Sequence, residues 1–332
     1  MTKPRITIIG LGLIGGSIGL GLKASAKAIQ VVGHDKDPGR NKLAKKMGAV
    51  DDSSINLFDA CQGADLVIIA TPITAVRETL ELIGPELKQG SVITDTATLK
   101  EPVLSWAAET LPAGVSFVGG DPLLNPNAQA TDLATLQGLE LAHADLLKGA
   151  LYALCAPPET SPTAVKRVSD MIQLLQARPF FVDPIEHDGI RAAVEGLPAL
   201  AGLALMQQVG GASGWQETRK LADHIFGMAT ASLSGDVAIQ RAHILLNAAH
   251  LIPRLDALMQ ELSRLREWVA TKNAAALEEA FKEATSVRNR WLIDRASGEW
   301  EEELGEVEIP GTLGALGNMF GLGSLRREPK EE

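Results

Sequence analysis

Arg5-Ile-Thr-Ile-Ile-Gly10-Leu-Gly12-Leu-Ile-Gly15-Gly-Ser-Ile-Gly-Leu-Gly-Leu-Lys23 is the stretch on which the fold turns. Its first five residues read as a buried strand; the chain then breaks into glycines and resumes at helical spacing. Each glycine of this G-x-G-x-x-G run has a mechanical use. Gly10 turns the chain, Gly12 lets a pyrophosphate approach the backbone, and Gly15 lets helix and strand pack closely. The helix start at Leu13 and Ile14 offers free N–H groups and a positive dipole end to that pyrophosphate. Alone, the pattern is weak, and its plain reading is a glycine-rich turn with no ligand. Asp35, however, stands twenty residues past Gly15 at the end of a second strand-like run. There a carboxylate would bond the ribose hydroxyls of a nicotinamide dinucleotide. Asp35 favours NAD, because it repels a 2′-phosphate. Lys36 and Arg40 beside it could hold such a phosphate, so NADP stays open, although both also read as a solvated loop.

Outward from the loop, short apolar runs at residues 29–33, 66–70, 91–94 and 115–118 alternate with helix-like spacing at residues 14–26, 38–47, 73–87 and 99–110. That alternation predicts a doubly wound, mainly parallel sheet covered on both faces. Two more strands are expected at residues 151–156 and 179–182, flanking a helix that Ser161 caps and Pro162 begins. In Ala64-Asp-Leu-Val-Ile-Ile-Ala-Thr71-Pro72 a buried strand ends in a loop at the sheet's carboxyl edge, so Thr71 and Pro72 are expected to line the nicotinamide side. A plain strand-to-helix turn is the other reading. The expected α/β Rossmann domain covers residues 1–183. Past Asp183 only helical patterns remain, which predicts an all-α domain over residues 184–308. Within it, LPALAGLALMQQV at residues 197–209 is apolar on every side, as in a core or a subunit interface. Residues 309–332 are glycine-rich, then charged, and read as a tail.

The 332 residues suit two domains, and the composition is that of an ordinary globular chain. A net charge of −10 opposes phosphate backbones and argues against nucleic-acid partners. The two cysteines, Cys61 and Cys155, form neither a CxxC pair nor a metal cluster, which fits a reducing compartment. Residues 6–22 carry no charge, but their glycines fit a strand and turn better than a signal or a membrane span. No metal and no membrane are expected, and the cytoplasm is the default location.

Five blocks taken in order, IIGLGLIGGSIGLGLK, ADLVIIATP, TDTATLK, FVGGDP and EHDGIRAAVEGLP, resemble the prephenate/arogenate dehydrogenases of tyrosine biosynthesis over roughly residues 5 to 250. The resemblance implies a Rossmann domain, a helical domain that forms a homodimer, and an active site in the cleft between them. It implies oxidative decarboxylation of a small anionic substrate, prephenate or arogenate: hydride leaves the ring carbon bearing the 4-hydroxyl for the nicotinamide, and the ring carboxylate leaves as carbon dioxide. The block TDTATLK matches the family's aspartate-x-x-serine-x-lysine, which makes Asp95 a cofactor-side residue and Thr98 and Lys100 catalytic ones. Thr98 reads equally as a helix N-cap. Trp215-Gln-Glu-Thr-Arg219 resembles a family block in which the arginine clamps the substrate carboxylate, although an arginine on a helix also reads as a solvated face. The resemblance also places His187 and Asn247 on the substrate side: His187, in the block EHD, is expected to orient rather than carry protons, and Asn247 falls where the family often has asparagine.

Two departures stand out. The family's glycine-glycine-histidine-proline reads Gly119-Gly120-Asp121-Pro122 here, and a second family histidine is Ala199. Asp121 takes the catalytic position, yet an aspartate with a pKa of about 4 is a weak base and repels a dianion. Arogenate, with its amino group, is the better candidate on charge. The alternative is a catalytically impaired paralogue that binds NAD(H) and regulates or senses. A β-hydroxyacid dehydrogenase is the more distant reading, since no block supplies its catalytic lysine.

Overall fold

The computed structural model describes residues 3–26, 28–125, 138–298 and 300. The expected tail at residues 309–332 and most of the stretch after Pro122 lie outside them. The first half runs β1 (Arg5–Ile9), α1 (Leu13–Ser25), β2 (Gln30–His34), α2 (Pro38–Met47), β3 (Asp52–Ser53), α3 (Leu57–Cys61), β4 (Leu66–Ile69), α4 (Ile73–Ile83), β5 (Val92–Asp95), α5 (Glu101–Thr110), β6 (Ser116–Pro122), β7 (Leu151–Cys155), α6 (Pro162–Leu174) and β8 (Arg178–Phe181). The strands form one sheet in the order β3-β2-β1-β4-β5-β6-β7-β8. All neighbours are parallel except β6 and β7.

Strand alternation divides the core. Ile6, Ile8, Leu66 and Ile68 face one apolar cluster with Ile18 and Leu22 of α1, while Val67 and Ile69 face the other with Val76 and Leu80 of α4. β1 neighbours both β2 and β4, so the strand order reverses there, and a crevice opens over the carboxyl ends.

Three local expectations change. β6 does not stop at Val118: Gly119 to Pro122 pair with Cys155 to Tyr152 of β7, so Asp121 sits on a strand. α5 starts at Glu101, with Lys100 and not Thr98 at its N-cap position. Ser161 and Pro162 do open α6, but the serine hydroxyl makes no capping bond.

The second half is helical: α7 (Pro184–Arg191), a π-helical segment (Ala192–Gly196), α8 (Leu197–Gly210), α9 (Trp215–Thr218), α10 (His224–Ala229), α11 (Val237–Leu246), α12 (Ala248–Ala270) and α13 (Ala274–Ser297). α7, the π segment and α8 form one helix, Pro184–Gly210, long and apolar enough by composition to cross a bilayer. Only Gly202 of α8 is buried, and α12 and α13 expose Ile252, Met259, Phe281, Val287 and Ile293. These apolar faces are uncovered in a single chain.

Candidate active site

A cleft of about 1120 Å³ runs over the carboxyl edge of the sheet. Gly10, Gly12, Leu13, Ile14, Asp35, Thr71 and Pro72 all line it, as the sequence led us to expect. Gly10 has φ +95° and hydrogen-bonds through its N–H to the His34 carbonyl at 2.8 Å. Gly12 faces open space. Gly15 is not among the lining residues: a Cβ there would lie 1.9 Å from the Gly10 oxygen, so its missing side chain serves packing. The first intrahelical bond runs from Gly16 N–H to the Gly12 carbonyl, which leaves the N–H groups of Leu13, Ile14 and Gly15 at the open end of α1. The Asp35 carboxylate accepts from Leu11 N–H at 2.9 Å and Asp37 N–H at 2.9 Å, which fixes it at the end of β2. The Thr71 hydroxyl oxygen is buried without a hydrogen-bond partner. An open glycine, free helix N–H groups, a fixed acid and an orphan hydroxyl suit a dinucleotide, which supplies a hydride acceptor when bound.

At the far end of the cleft the structure corrects several expectations. Asp95 and Lys100 are fully buried and do not line it. Their charges pair at 2.5 Å, and together they hold the backbone on both sides of Gly120. Gly120 N–H donates to Asp95 Oδ1 at 2.9 Å, and Lys100 Nζ donates to the Gly120 carbonyl at 2.6 Å. They hold the residue before Asp121 and are not among the residues that line the cleft. Lys100→Met leaves the Asp95 charge buried and unpaired, so it is expected to cost about 3–5 kcal/mol in denaturant unfolding. A loss below about 1 kcal/mol would show that the pair does not hold the strand.

Arg219 lies exposed at the end of α9, outside the cleft, so it is not brought to the site. Asn247 is buried, and its Nδ2 donates to the Asp188 carbonyl at 2.9 Å, fixing α7 to α12. It does not line the cleft either.

Asp121 does line the cleft and is almost fully buried. Its Oδ2 accepts from Arg191 Nε at 2.6 Å, also meets the Arg191 terminal nitrogen, and stands 3.0 Å from His187 Nε2. His187 Nδ1 lies 2.8 Å from Asp188 Oδ1. Asp188 also caps α5, accepting from Lys100 N–H at 2.7 Å and Glu101 N–H at 2.9 Å. The helical domain thus supplies the cap that α5 lacks in its own sequence. His187 is held between Asp121 and Asp188 and does not line the cleft, and Asp183 caps α7.

Burial pushes the Asp121 carboxyl up, but the His187 hydrogen bond and the Arg191 charge outweigh it and hold the group below the ordinary aspartate range. Burial pulls His187 down, yet Asp121 and Asp188 hold it above the ordinary imidazole range. Asp121 is therefore an anion neutralised in place and a poor proton acceptor.

Arg191, Glu195, His243 and Arg295 were not singled out from the sequence. His187, Arg191 and Glu195 recur at every fourth residue, a spacing that puts them on one helix face and could have revealed them. Arg191 NH1 lies 3.6 Å from Glu195 Oε2, and His243 Nδ1 lies 3.6 Å from Glu195 Oε1. His243 Nε2 lies 3.1 Å from the Thr98 hydroxyl, which lines the cleft. Thr98 is thus a site residue, not a cap. Arg295 of α13 lines the cleft as well, with its guanidinium 5.9 Å from the Trp291 ring centre.

A crevice that takes a dinucleotide at a strand switch point, with ordered acid–base groups beyond it, is built for hydride transfer. Fold and site define an NAD-dependent dehydrogenase. Two sequence profiles match: "Prephenate dehydrogenase, nucleotide-binding domain" over residues 18–180 and "Prephenate dehydrogenase, dimerization domain" over residues 183–283. The chain belongs to the prephenate dehydrogenase family. It is 28% identical over 289 residues to the prephenate dehydrogenase of Bacillus subtilis, covering 86% of this chain and 76% of that one. It is 26% identical over 286 residues to the cyclohexadienyl dehydrogenase of Zymomonas mobilis, covering 86% and 94%. Among solved structures, the fold matches Aquifex aeolicus prephenate dehydrogenase in complex with hydroxyphenyl propionate and NAD+. The TM-score is 0.77 at 21% identity, over 87% of this chain and 99% of that one. It also matches Synechocystis arogenate dehydrogenase, with a TM-score of 0.71 at 23% identity over 86% and 99%.

Proposed function

We propose that the chain oxidatively decarboxylates an arogenate-type cyclohexadiene acid, with NAD as hydride acceptor, and prefers it to prephenate. The observation that carries this reading is the charge at the substrate end of the cleft. Arg191 is committed to Asp121 and also faces Glu195, so its charge is already balanced. Glu195 also lines the cleft, and because Arg191 is one cation against two carboxylates, Asp121 and Glu195, it leaves one negative charge in excess there. A substrate ammonium would satisfy that carboxylate, whereas a keto group in its place would not. Arg295, rather than Arg219, is the cleft arginine available to a substrate carboxylate.

This reading makes the protein a homodimer through the helical domain, with the apolar faces of α8, α12 and α13 against the partner, working in the cytoplasm. A second chain covering α8 accounts for a helix that is apolar on all sides.

The test is reduced-nicotinamide formation by purified protein with arogenate and prephenate, each with NAD and NADP. Arogenate with NAD is expected to give the highest kcat/KM, by on the order of tenfold or more, the worth of a charged hydrogen bond. Equal rates on both acids would remove the argument from Glu195. Turnover of neither, with NAD still bound, would leave a dinucleotide-binding regulator.

A further inference from the structure

Oxidising a hydroxyl-bearing carbon requires a group that takes the hydroxyl proton as hydride departs. At the position where the family resemblance implies a histidine, this chain has Asp121, whose carboxylate is saturated by Arg191 and His187. His187 is itself held between two carboxylates and is occupied on both ring nitrogens. Neither residue is free to accept a proton.

We infer that the proton acceptor is His243 of the helical domain, acting through the Thr98 hydroxyl and held by Glu195. This rests on the function proposed above. Three observations support it. Thr98 Oγ1 lines the cleft and lies 3.1 Å from His243 Nε2, a contact across 145 residues of sequence. Glu195 Oε1 faces the other ring nitrogen, Nδ1, at 3.6 Å. That carboxylate favours the tautomer with the proton on Nδ1, which leaves Nε2 as the acceptor of the threonine proton. Glu195 also sits on the π-helical segment, where the widened turn, with Leu197 N–H bonded to the Ala192 carbonyl, displaces side chains from ordinary helical positions.

The step balances as a loan of one proton. The substrate hydroxyl gives its proton to Thr98 Oγ1 while the threonine proton moves to His243 Nε2. The ring carbon loses hydride to NAD, and the hydroxyl becomes a carbonyl. The bond to the ring carboxylate then breaks, carbon dioxide leaves, and the bonding electrons pass through the ring to the carbonyl oxygen. That oxygen takes the proton back from His243 through Thr98. Because His243 touches substrate only through Thr98, it is a positioning and relay residue.

The charged groups around the ring limit what else could titrate in its place. Glu195 is against it, with Arg191 behind. On α4, which packs on α11, Arg77, Glu78 and Glu81 are exposed, and Arg77 pairs with Glu81 and Glu109. On α12, His250 is bonded to Glu101 of α5.

The experiment compares wild type with His243→Gln, Thr98→Val and Thr98→Ser. His243→Gln is expected to lower kcat about 100-fold, the lower end of a general-base contribution, without changing NAD affinity. It should also remove the acid limb of the kcat/KM profile that wild type shows as the imidazole is protonated. Thr98→Ser keeps the hydroxyl and should retain activity and limb. Thr98→Val should match His243→Gln, and the double variant should be no worse than either. An acid limb that persists in His243→Gln, or losses that multiply in the double variant, would overturn the relay. Nitrogen NMR of the imidazole in the wild-type protein decides independently of turnover. A neutral ring protonated on Nε2 overturns the relay, whereas one protonated on Nδ1 supports it. Wild type that turns over neither acid refutes the proposed function, and the relay then stands or falls on the tautomer.

Discussion

Replacing Gly12 with valine is expected to abolish NAD binding, with an affinity loss of at least about 100-fold, while the protein melts where wild type does. Two observations separate binding from folding at this position. A Cβ on Gly12 would meet no protein atom within 4 Å, and the backbone there, at φ −89° and ψ −157°, is extended and open to any residue. Valine therefore costs the fold little. It projects into the space where a pyrophosphate must approach the helix N-terminus, and a phosphate pushed away from those N–H groups loses several charge-assisted hydrogen bonds at once. Losing two such bonds at about 1.5 kcal/mol each exceeds a hundredfold. Gly15→Ala is the contrasting control, since its Cβ would lie 1.9 Å from the Gly10 oxygen. That variant should lose stability and binding together. The readouts are titration calorimetry with NAD and a thermal melt. Unchanged NAD affinity in Gly12→Val would remove the loop from the cofactor site.

The contrast between these glycines shows what the sequence could convey. Local chemistry was legible: the glycine loop, Asp35, and the strand-end pair Thr71 and Pro72 all line the cleft because their positions follow from strand, turn and helix geometry alone. β3 escaped notice because it has two polar residues at the sheet edge and no apolar run. Sites made by two domains were less legible. Asp95, Lys100 and Asn247 carry residue types that chemistry uses, yet Asp95 and Lys100 are buried against each other and Gly120, and Asn247 against Asp188 of α7. Arg219 sits in a short helix whose place no periodicity could supply. Thr98 and His243 belong to different domains, so their contact exists only once the domains are packed. Asp121 reads as a weak base from its ordinary pKa alone, and Arg191, which the sequence did not point to, makes it a weaker one. Once Arg191 is beside it, the negative charge of Asp121 that argued against an anionic substrate is balanced inside the protein.

Restoring the family's histidine at this position is expected to damage the protein. Asp121→His places an imidazole where an anion now accepts from a largely buried arginine and meets a buried histidine. Arg191 then has only Glu195, at 3.6 Å, and His187 loses one of the two carboxylates that hold it in place. Removing one partner of a buried pair costs about 3–5 kcal/mol because the other charge remains buried. On this argument the single variant loses that much in denaturant unfolding and gains no prephenate turnover. Adding Arg191→Met removes the stranded cation and should recover most of the loss, a coupling that independent sites would not show. The wild-type pair also has a pH signature. The Asp121 contribution is complete above the unfolded aspartate pKa of about 3.9 and disappears as pH falls through its lowered folded value. The His187 contribution is complete below about 6.5 and disappears as pH rises through its raised folded value. Stability measured against pH should thus show both contributions in full between roughly pH 4 and 6.5, and Asp121→His should flatten both flanks. If the single variant is as stable as wild type, or keeps both flanks, the Asp121–His187–Arg191 cluster is not what fastens the helical domain to β6.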